Sequence, residues 1–181
     1  MRRASLSAFF LVTCLCIAAS AQQVRTVFLV RHAEKVSNAA DALLSDVGKK
    51  RAECLANTLA DAQIHAIYTT EVKRTQQTAE PTAQHAGVTV TVVPGKDIAG
   101  LVTKLQSGDS PALVVGHSNT LPAIIEALGA GKIKALGDNE YDGLYIVTLD
   151  PKAGASLVKL HYCDCGKPRA NDPAQGMNPK M

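Results

Sequence analysis

The chain has 181 residues, a formal net charge of +3 at neutral pH and an aromatic content of 4%. This small net charge, with few aromatic side chains and no basic stripe, argues against a nucleic-acid-binding protein. No basic amphipathic helix of the kind that binds a membrane surface is present either, so any strong positive potential must be local.

The N-terminus has the pattern of a secretory signal peptide. Arg2-Arg3 is followed by an apolar run and by the cleavage pattern Ala19-Ser20-Ala21. Cleavage after Ala21 leaves 160 residues, enough for one compact domain of a periplasmic or secreted protein. An uncleaved anchor is the alternative; after cleavage no membrane association is expected. The predicted organisation is a signal peptide, an α/β domain and a disordered tail, over residues 1–21, 22–165 and 166–181.

Apolar periodicity after the signal predicts strands that alternate with helices. Strands are expected over residues 24–30, 66–68, 88–93, 111–115, 144–149 and 157–162. Helices are expected after an N-cap at Ser45, from about residue 71 with a kink or break at Pro81, and over residues 98–105 and 121–128. The predicted fold is an α/β three-layer sandwich with a mixed, mainly parallel central sheet flanked by helices.

Two of the predicted strands run directly into polar residues. Val27–Val30 leads into Arg31-His32, and Leu113–Val115 leads into Gly116 and His117. Both runs are continuously apolar, which is typical of strands buried on both faces of a parallel sheet. Ligands of such sheets bind beyond the carboxyl ends of the strands. The pattern therefore predicts an anion pocket with an imidazole in position to attack the anion.

Four segments in the correct order resemble the histidine phosphatase superfamily, the phosphoglycerate-mutase-like proteins of branch 1. They are Arg31-His32-Ala33-Glu34 with Asn38 after it, Leu44-Ser45-Asp46-Val47-Gly48, the second-arginine segment Tyr68–Ala79 with Arg74, and Gly116-His117-Ser118-Asn119. The resemblance implies a phosphomonoester hydrolase with a covalent phosphohistidine intermediate on His32. A small phosphorylated molecule is the implied partner; no metal or other cofactor is expected, and the oligomeric state is not predicted.

The resemblance also implies roles for the other site residues. Arg31 and Arg74 would bind phosphoryl oxygens in pairs, as guanidinium groups do. A protonated His117 would stabilise the transition state. Glu34, Asn38 and Ser118 are expected to contact the substrate. Glu34 could instead orient Arg31 or His32, or be a solvated loop carboxylate.

The sequence departs from the family pattern at the general acid. Many family members use a glutamate after the second arginine, whereas residues 94–106 contain Asp97 as their single carboxylate. Asp97 could protonate the leaving alkoxide, or it could cap the helix that begins at Ile98. Some compact relatives lack a dedicated acid, which favours substrates with good leaving groups.

Three cysteines remain after signal removal: Cys54, Cys163 and Cys165. In an oxidising compartment, one disulfide and one free thiol is the simplest hypothesis, and the sequence does not choose the pair. A soft-metal site formed by His161, Cys163 and Cys165 is the alternative.

Two rival functions fit part of the pattern. Val114–Thr120 is similar to the nucleophile turn of an α/β-hydrolase, with Ser118 as nucleophile, but Thr120 replaces the second glycine. The same pocket could also bind phosphate or a phosphorylated ligand without turnover. A mutase is disfavoured, because the short loops between motifs leave little chain to shield a phosphohistidine from water. Envelope sugar phosphates and scavenged phosphoesters are the candidate substrates.

Overall fold

The computed structural model describes residues 23–163, so the predicted signal peptide, the predicted tail and Cys165 lie outside the described residues. Six strands and four helices alternate in this part of the chain. The strands are β1 (Arg25–Arg31), β2 (Ala66–Thr69), β3 (Val90–Val92), β4 (Ala112–Gly116), β5 (Gly143–Asp150) and β6 (Gly154–His161). The helices are α1 (Asp46–Thr58), α2 (Lys73–Ala86), α3 (Ile98–Ser107) and α4 (Thr120–Ala127). None of these helices is long and apolar enough to cross a membrane.

The strands form one sheet in the order β3-β2-β4-β1-β5-β6. The first four strands along the chain pair in parallel, and β5 and β6 are antiparallel to their neighbours. The prediction of a mixed, mainly parallel sheet is therefore confirmed. The two continuously apolar strands, β1 and β4, are central neighbours, with Arg31 opposite Gly116. Their carboxyl ends therefore meet at the same edge of the sheet.

Helices cover both faces of this sheet. On one face, Leu55 of α1 and Ala79 of α2 pack with Val30 and Val115. On the other face, the helices α3 and α4 pack against Leu29 and its neighbours through a second apolar cluster. Burying one leucine side chain in this way contributes about 1.5–3 kcal/mol. The three-layer sandwich is thus confirmed.

Local chemistry explains where α1 begins and how it meets the sheet edge. The Ser45 hydroxyl accepts a hydrogen bond from the Gly48 amide at 3.2 Å, which caps the helix as predicted. A Cβ atom on Gly48 would lie 2.1 Å from the Glu34 carbonyl oxygen. Glycine at this position therefore lets α1 approach the loop that follows His32. Of the two alternatives for Pro81, the break was wrong, because this proline lies inside one helix that is continuous from Lys73 to Ala86; the kink stays a prediction.

A disulfide between Cys54 and Cys163 joins α1 to the residues that follow β6. This finding selects one pairing from those that the sequence left open. Because Cys163 is bonded to Cys54, it is not available as a thiolate for the alternative soft-metal site. No group of three potential metal ligands occurs within residues 23–163.

Candidate active site

His32 stands at the centre of the site, directly after β1. Its side chain is 4% exposed, and its backbone amide donates to the Gly116 carbonyl at 2.9 Å, which locks it to the end of β4. Nδ1 of the ring lies 2.8 Å from the Ala33 carbonyl oxygen. A carbonyl can only accept, so Nδ1 must carry the proton and Nε2 retains a lone pair. The backbone thus fixes the tautomer that a nucleophile at Nε2 requires.

The electrostatic environment keeps His32 neutral. Burial is the main cause that lowers its pKa to about 3, and His117, Arg74 and Arg31 lower it further. The hydrogen bond to the Ala33 carbonyl acts in the opposite direction. At physiological pH the Nε2 lone pair is therefore available to attack an electrophile.

His117 follows β4 and lies beside His32, with ring centroids 5.3 Å apart and ring planes at 64°. Burial and the nearby guanidinium groups of Arg74 and Arg31 lower its pKa to about 4, while Glu71 raises it. The sequence-based expectation was a protonated ring, but this environment favours neutral His117. An anion bound between the guanidinium groups would offset their charge and raise the pKa of His117 again.

Arg31 is held against the loop that precedes β5. Its Nη1 donates to the carbonyl oxygens of Gly137, Asp138 and Glu140 at 2.8, 3.0 and 3.2 Å. Its guanidinium carbon lies 4.3 Å from the centre of the Tyr141 ring. The Nε atom of Arg31 is buried and has no hydrogen-bond partner. The side chain is thus fixed through one nitrogen, while part of its donor capacity is unused.

Arg74 lies in the first turn of α2 and is half-buried. Its Nη1 donates to the Ala40 carbonyl at 2.5 Å, and its Nε is buried without a partner. Among the ion pairs within residues 23–163, none gives Arg31 or Arg74 a carboxylate partner. The site therefore carries two guanidinium groups that form no ion pair with a carboxylate, beside two neutral histidines.

Two predicted site residues have scaffold contacts instead. The Glu34 carboxylate accepts three hydrogen bonds from Arg51, the shortest being 2.7 Å from Nη2. Glu34 is therefore engaged by a buried guanidinium of the scaffold, and its contact with substrate stays a prediction. Asp97 caps α3 by accepting from the Gly100 amide at 2.9 Å. Its contacts fit the capping alternative rather than the acid.

Asn38 and Ser118 are the other two residues that were predicted to contact substrate. The structure gives their positions but no hydrogen bond of their side chains. Asn38 is exposed on the loop between β1 and α1, and Ser118 is half-buried directly after His117. The Asn38 loop is fastened to α2, because the Asp41 carboxylate accepts from the Lys73 amide at 2.8 Å. The hydrolase alternative needs a histidine to activate Ser118, and His161 is the histidine that follows it in the sequence. No hydrogen bond joins these two residues, and His161 pairs instead with Asp142.

Sequence reasoning missed three residues around the histidines. Tyr141 lies 6.1 Å from the His32 ring, and the Thr70 hydroxyl lies 3.0 Å from Nε2 of His117. Glu71 is exposed, and its carboxylate accepts from the Gly95 amide at 2.9 Å. That amide and its own backbone amide are the main causes that hold the pKa of Glu71 below its usual value. Thr70 and Glu71 lie inside the second-arginine segment, whereas no sequence signal marks Tyr141.

The comparisons agree with this geometry. The sequence profile described as "Histidine phosphatase superfamily (branch 1)" matches residues 27–97, which include Arg31, His32 and Arg74. Over these residues the match supports the predicted resemblance to the histidine phosphatase superfamily. The match ends at Asp97, so the His117 segment lies beyond it. No curated protein sequence is significantly similar to the chain.

Solved structures of several phosphatases share the fold. The protein histidine phosphatase SixA with tungstate has 19% sequence identity and a TM-score of 0.62, over 75% of this chain and 96% of that one. A mycobacterial glucosyl-3-phosphoglycerate phosphatase with inorganic phosphate has 16% identity and a TM-score of 0.56, over 75% and 95%. An Escherichia coli protein provisionally described as an alpha-ribazole-5'-P phosphatase has 17% identity and a TM-score of 0.61, over 76% and 96%. At these identities the likeness establishes the fold.

Proposed function

We propose that the protein hydrolyses phosphomonoesters through a covalent phosphohistidine on His32. The observation that carries the proposal is the fixed tautomer of this ring, whose Nδ1 is bonded to the Ala33 carbonyl at 2.8 Å. A neutral imidazole with a free Nε2, placed beside two guanidinium groups without carboxylate partners, is suited to attack phosphorus. Binding alone would need the cations but not this nucleophile.

The reaction proceeds in two displacements. In the first, Nε2 of His32 forms a bond to phosphorus while the bond from phosphorus to the ester oxygen breaks, and the leaving alcohol takes up a proton. In the second, water attacks phosphorus, the bond to Nε2 breaks, and inorganic phosphate and neutral His32 are released. Both displacements place the incoming and leaving atoms in line.

Arg31 and Arg74 stabilise the charge on the non-bridging oxygens in both steps. Such preorganised cationic donors are effective because they are already oriented when the charge redistributes. His117 becomes protonated in the complex, since the phosphoryl anion offsets the positive field that keeps it neutral in the free protein. This cationic set supplies the neutralisation that metal ions supply in kinases, so we propose that hydrolysis is metal-independent.

The leaving group has no obvious dedicated acid. Asp97 is engaged as a helix cap, and Glu71 is held in its ionised form by backbone amides. Esters whose alcohols leave readily should therefore be the better substrates. The similar structures include a protein histidine phosphatase and a glucosyl-3-phosphoglycerate phosphatase. A screen across sugar phosphates, nucleotides and phosphopeptides is therefore the way to define the substrate.

An aryl phosphate tests the proposal directly. Wild-type protein should release the chromogenic phenol, and His32→Ala should reduce the rate at least a thousandfold. Wild type incubated with phosphorus-labelled substrate and quenched in alkaline detergent should carry a label on His32 that is stable to alkali and labile to acid. If both proteins release phenol equally, the enzyme proposal is wrong. Phosphate binding without turnover would favour the alternative of a non-catalytic binder.

We also propose that the protein is exported. The disulfide between Cys54 and Cys163 supports this, because such bonds persist in oxidising compartments. N-terminal sequencing of protein recovered from the periplasm or medium should begin at Gln22. Recovery of uncleaved protein from the membrane fraction would favour the anchor instead.

A further inference from the structure

A pair of threonine hydroxyls connects His117 to the start of α2. The Thr70 hydroxyl oxygen lies 3.0 Å from Nε2 of His117 and 3.0 Å from the Thr75 hydroxyl oxygen. Both threonines are buried, with exposures of 8% and 0%. The three side chains therefore form a hydrogen-bonded chain behind the second histidine of the site.

The direction of this chain follows from counting protons. The Thr75 hydroxyl has one proton, and it faces the carbonyl oxygens of Val72 at 2.8 Å and Thr70 at 3.1 Å, which can only accept. The Thr75 hydroxyl therefore donates its proton to a carbonyl, and it must accept the hydrogen bond from the Thr70 hydroxyl. The Thr70 proton is used in that bond, so Thr70 must in turn accept from His117. Nε2 of His117 accordingly carries a proton.

We propose that Thr70, supported by Thr75, is a positioning residue that holds His117 in the Nε2–H tautomer and leaves Nδ1 as the nitrogen that takes up a proton when a phosphoryl group binds. The tautomer itself follows from the contacts of the protein alone. The uptake of a proton on binding rests on the proposed phosphatase function.

The charged and titratable groups around His117 determine the conditions under which its ring becomes protonated. Arg74 and Arg31 oppose protonation, Glu71 favours it, and His32 beside it is neutral. A phosphoryl dianion adds negative charge and raises the pKa of His117 from about 4. The cation then donates to Thr70 in a charge-assisted hydrogen bond, which is stronger than the bond of the neutral ring. Loss of the Thr70 hydroxyl should therefore weaken the charged form more than the neutral one.

The chain offers a matched control one residue away. Thr69 is 3% exposed, and its hydroxyl has no hydrogen-bond partner. Thr69 is the last residue of β2 and directly precedes Thr70. Thr69→Val therefore removes a buried hydroxyl at this point without breaking a hydrogen bond. Thr70→Val removes the acceptor of His117 with the same change of atoms, and Thr70→Ser restores a hydroxyl.

Nitrogen-15 NMR of the histidine rings tests the tautomer without turnover. With His117→Gln to assign the signals, neutral His117 should appear as the Nε2–H form in wild type, Thr69→Val and Thr70→Ser. Thr70→Val should show a mixture of tautomers. With saturating inorganic phosphate, the pKa of His117 should be about one to two units lower in Thr70→Val than in wild type. An Nδ1–H form in wild type would overturn the proposal.

Kinetics with an aryl phosphate give the second readout. Thr70→Val should lower kcat about 10- to 100-fold, Thr70→Ser should stay within about threefold of wild type, and Thr69→Val should be unchanged. Equal rates and equal His117 signals for Thr70→Val and Thr69→Val would refute the positioning role. Wild-type protein that neither binds nor hydrolyses phosphoesters would refute the proposed function, while the NMR tautomer would still test the hydroxyl chain.

Discussion

Arg51 and the two site arginines differ in how their charge is compensated. Arg51 donates three hydrogen bonds to the Glu34 carboxylate and one, at 3.1 Å, to the Cys163 carbonyl. Arg31 and Arg74 donate to backbone carbonyls, and each leaves a buried Nε without a partner. A buried charge without a counter-charge costs stability. We therefore expect Arg51 to stabilise the fold, and this difference supports the proposal that Arg31 and Arg74 bind an anion.

The same contrast between site and scaffold occurs within the motif Arg31-His32-Ala33-Glu34. Arg31 and His32 form the site, whereas Glu34, two residues later, binds Arg51 of α1. Through Arg51 and the Cys163 carbonyl, this ion pair also reaches the disulfide to Cys54. The loop after β1 is thus tied to α1 and to the end of the sheet. That scaffold helps to hold the buried His32 in place.

The largest expected effect is on stability, from breaking the scaffold pair. Arg51→Met leaves the Glu34 carboxylate without its partner in a mostly buried position, and it should lower the free energy of unfolding by about 3 kcal/mol or more. Turnover of the folded fraction should stay within about tenfold of wild type. Urea denaturation and phosphatase assays at low temperature measure the two effects.

A double variant separates the ion pair from packing at Arg51. Glu34→Gln with Arg51→Met removes both charges, so it should be less destabilised than the sum of the single variants by about 1 kcal/mol or more. Strict additivity would mean that the pair contributes little. The comparison between scaffold and site arginines would then lose its energetic basis.

The opposite pattern is expected for Arg74. Arg74→Met should slow turnover at least a hundredfold, since it removes a donor aimed at developing charge. The melting temperature should stay the same or rise, because an uncompensated positive charge leaves the site. Lys73→Met is the matched control: it removes a neighbouring charge whose partner is Asp41, and its turnover should be close to wild type. Unchanged rates for Arg74→Met would exclude Arg74 from the site.

The central architecture could be predicted because its signals are local. The apolar runs of β1 and β4 indicate buried parallel strands, and that pairing alone brings Arg31-His32 and His117 to one edge. The partners of Glu34 could not be predicted in this way. Glu34 pairs with Arg51, 17 residues away, and Arg51 in turn donates to the Cys163 carbonyl, 112 residues further along the chain. No periodicity encodes such contacts.

The neutral state of His117 in the free protein could not be predicted for a related reason. The family resemblance indicates the residue, but the pKa depends on burial and on the positions of Arg74 and Arg31 in space. Tyr141 was missed because it lies in a loop without a motif. The structure reveals Tyr141 as a site residue because its ring lies against the Arg31 guanidinium.

The smallest expected effect concerns Asp97, the remaining carboxylate that could belong to the site or to the scaffold. Asparagine caps a helix about as well as aspartate, whereas alanine does not. Asp97→Ala should therefore lower the free energy of unfolding by about 1 kcal/mol, and Asp97→Asn should leave it within a few tenths. Neither variant should alter turnover of an alkyl phosphate, whose poor leaving group depends most on a general acid. A rate loss shared by both variants on the alkyl ester, but absent on an aryl ester, would make Asp97 the acid and return it to the site.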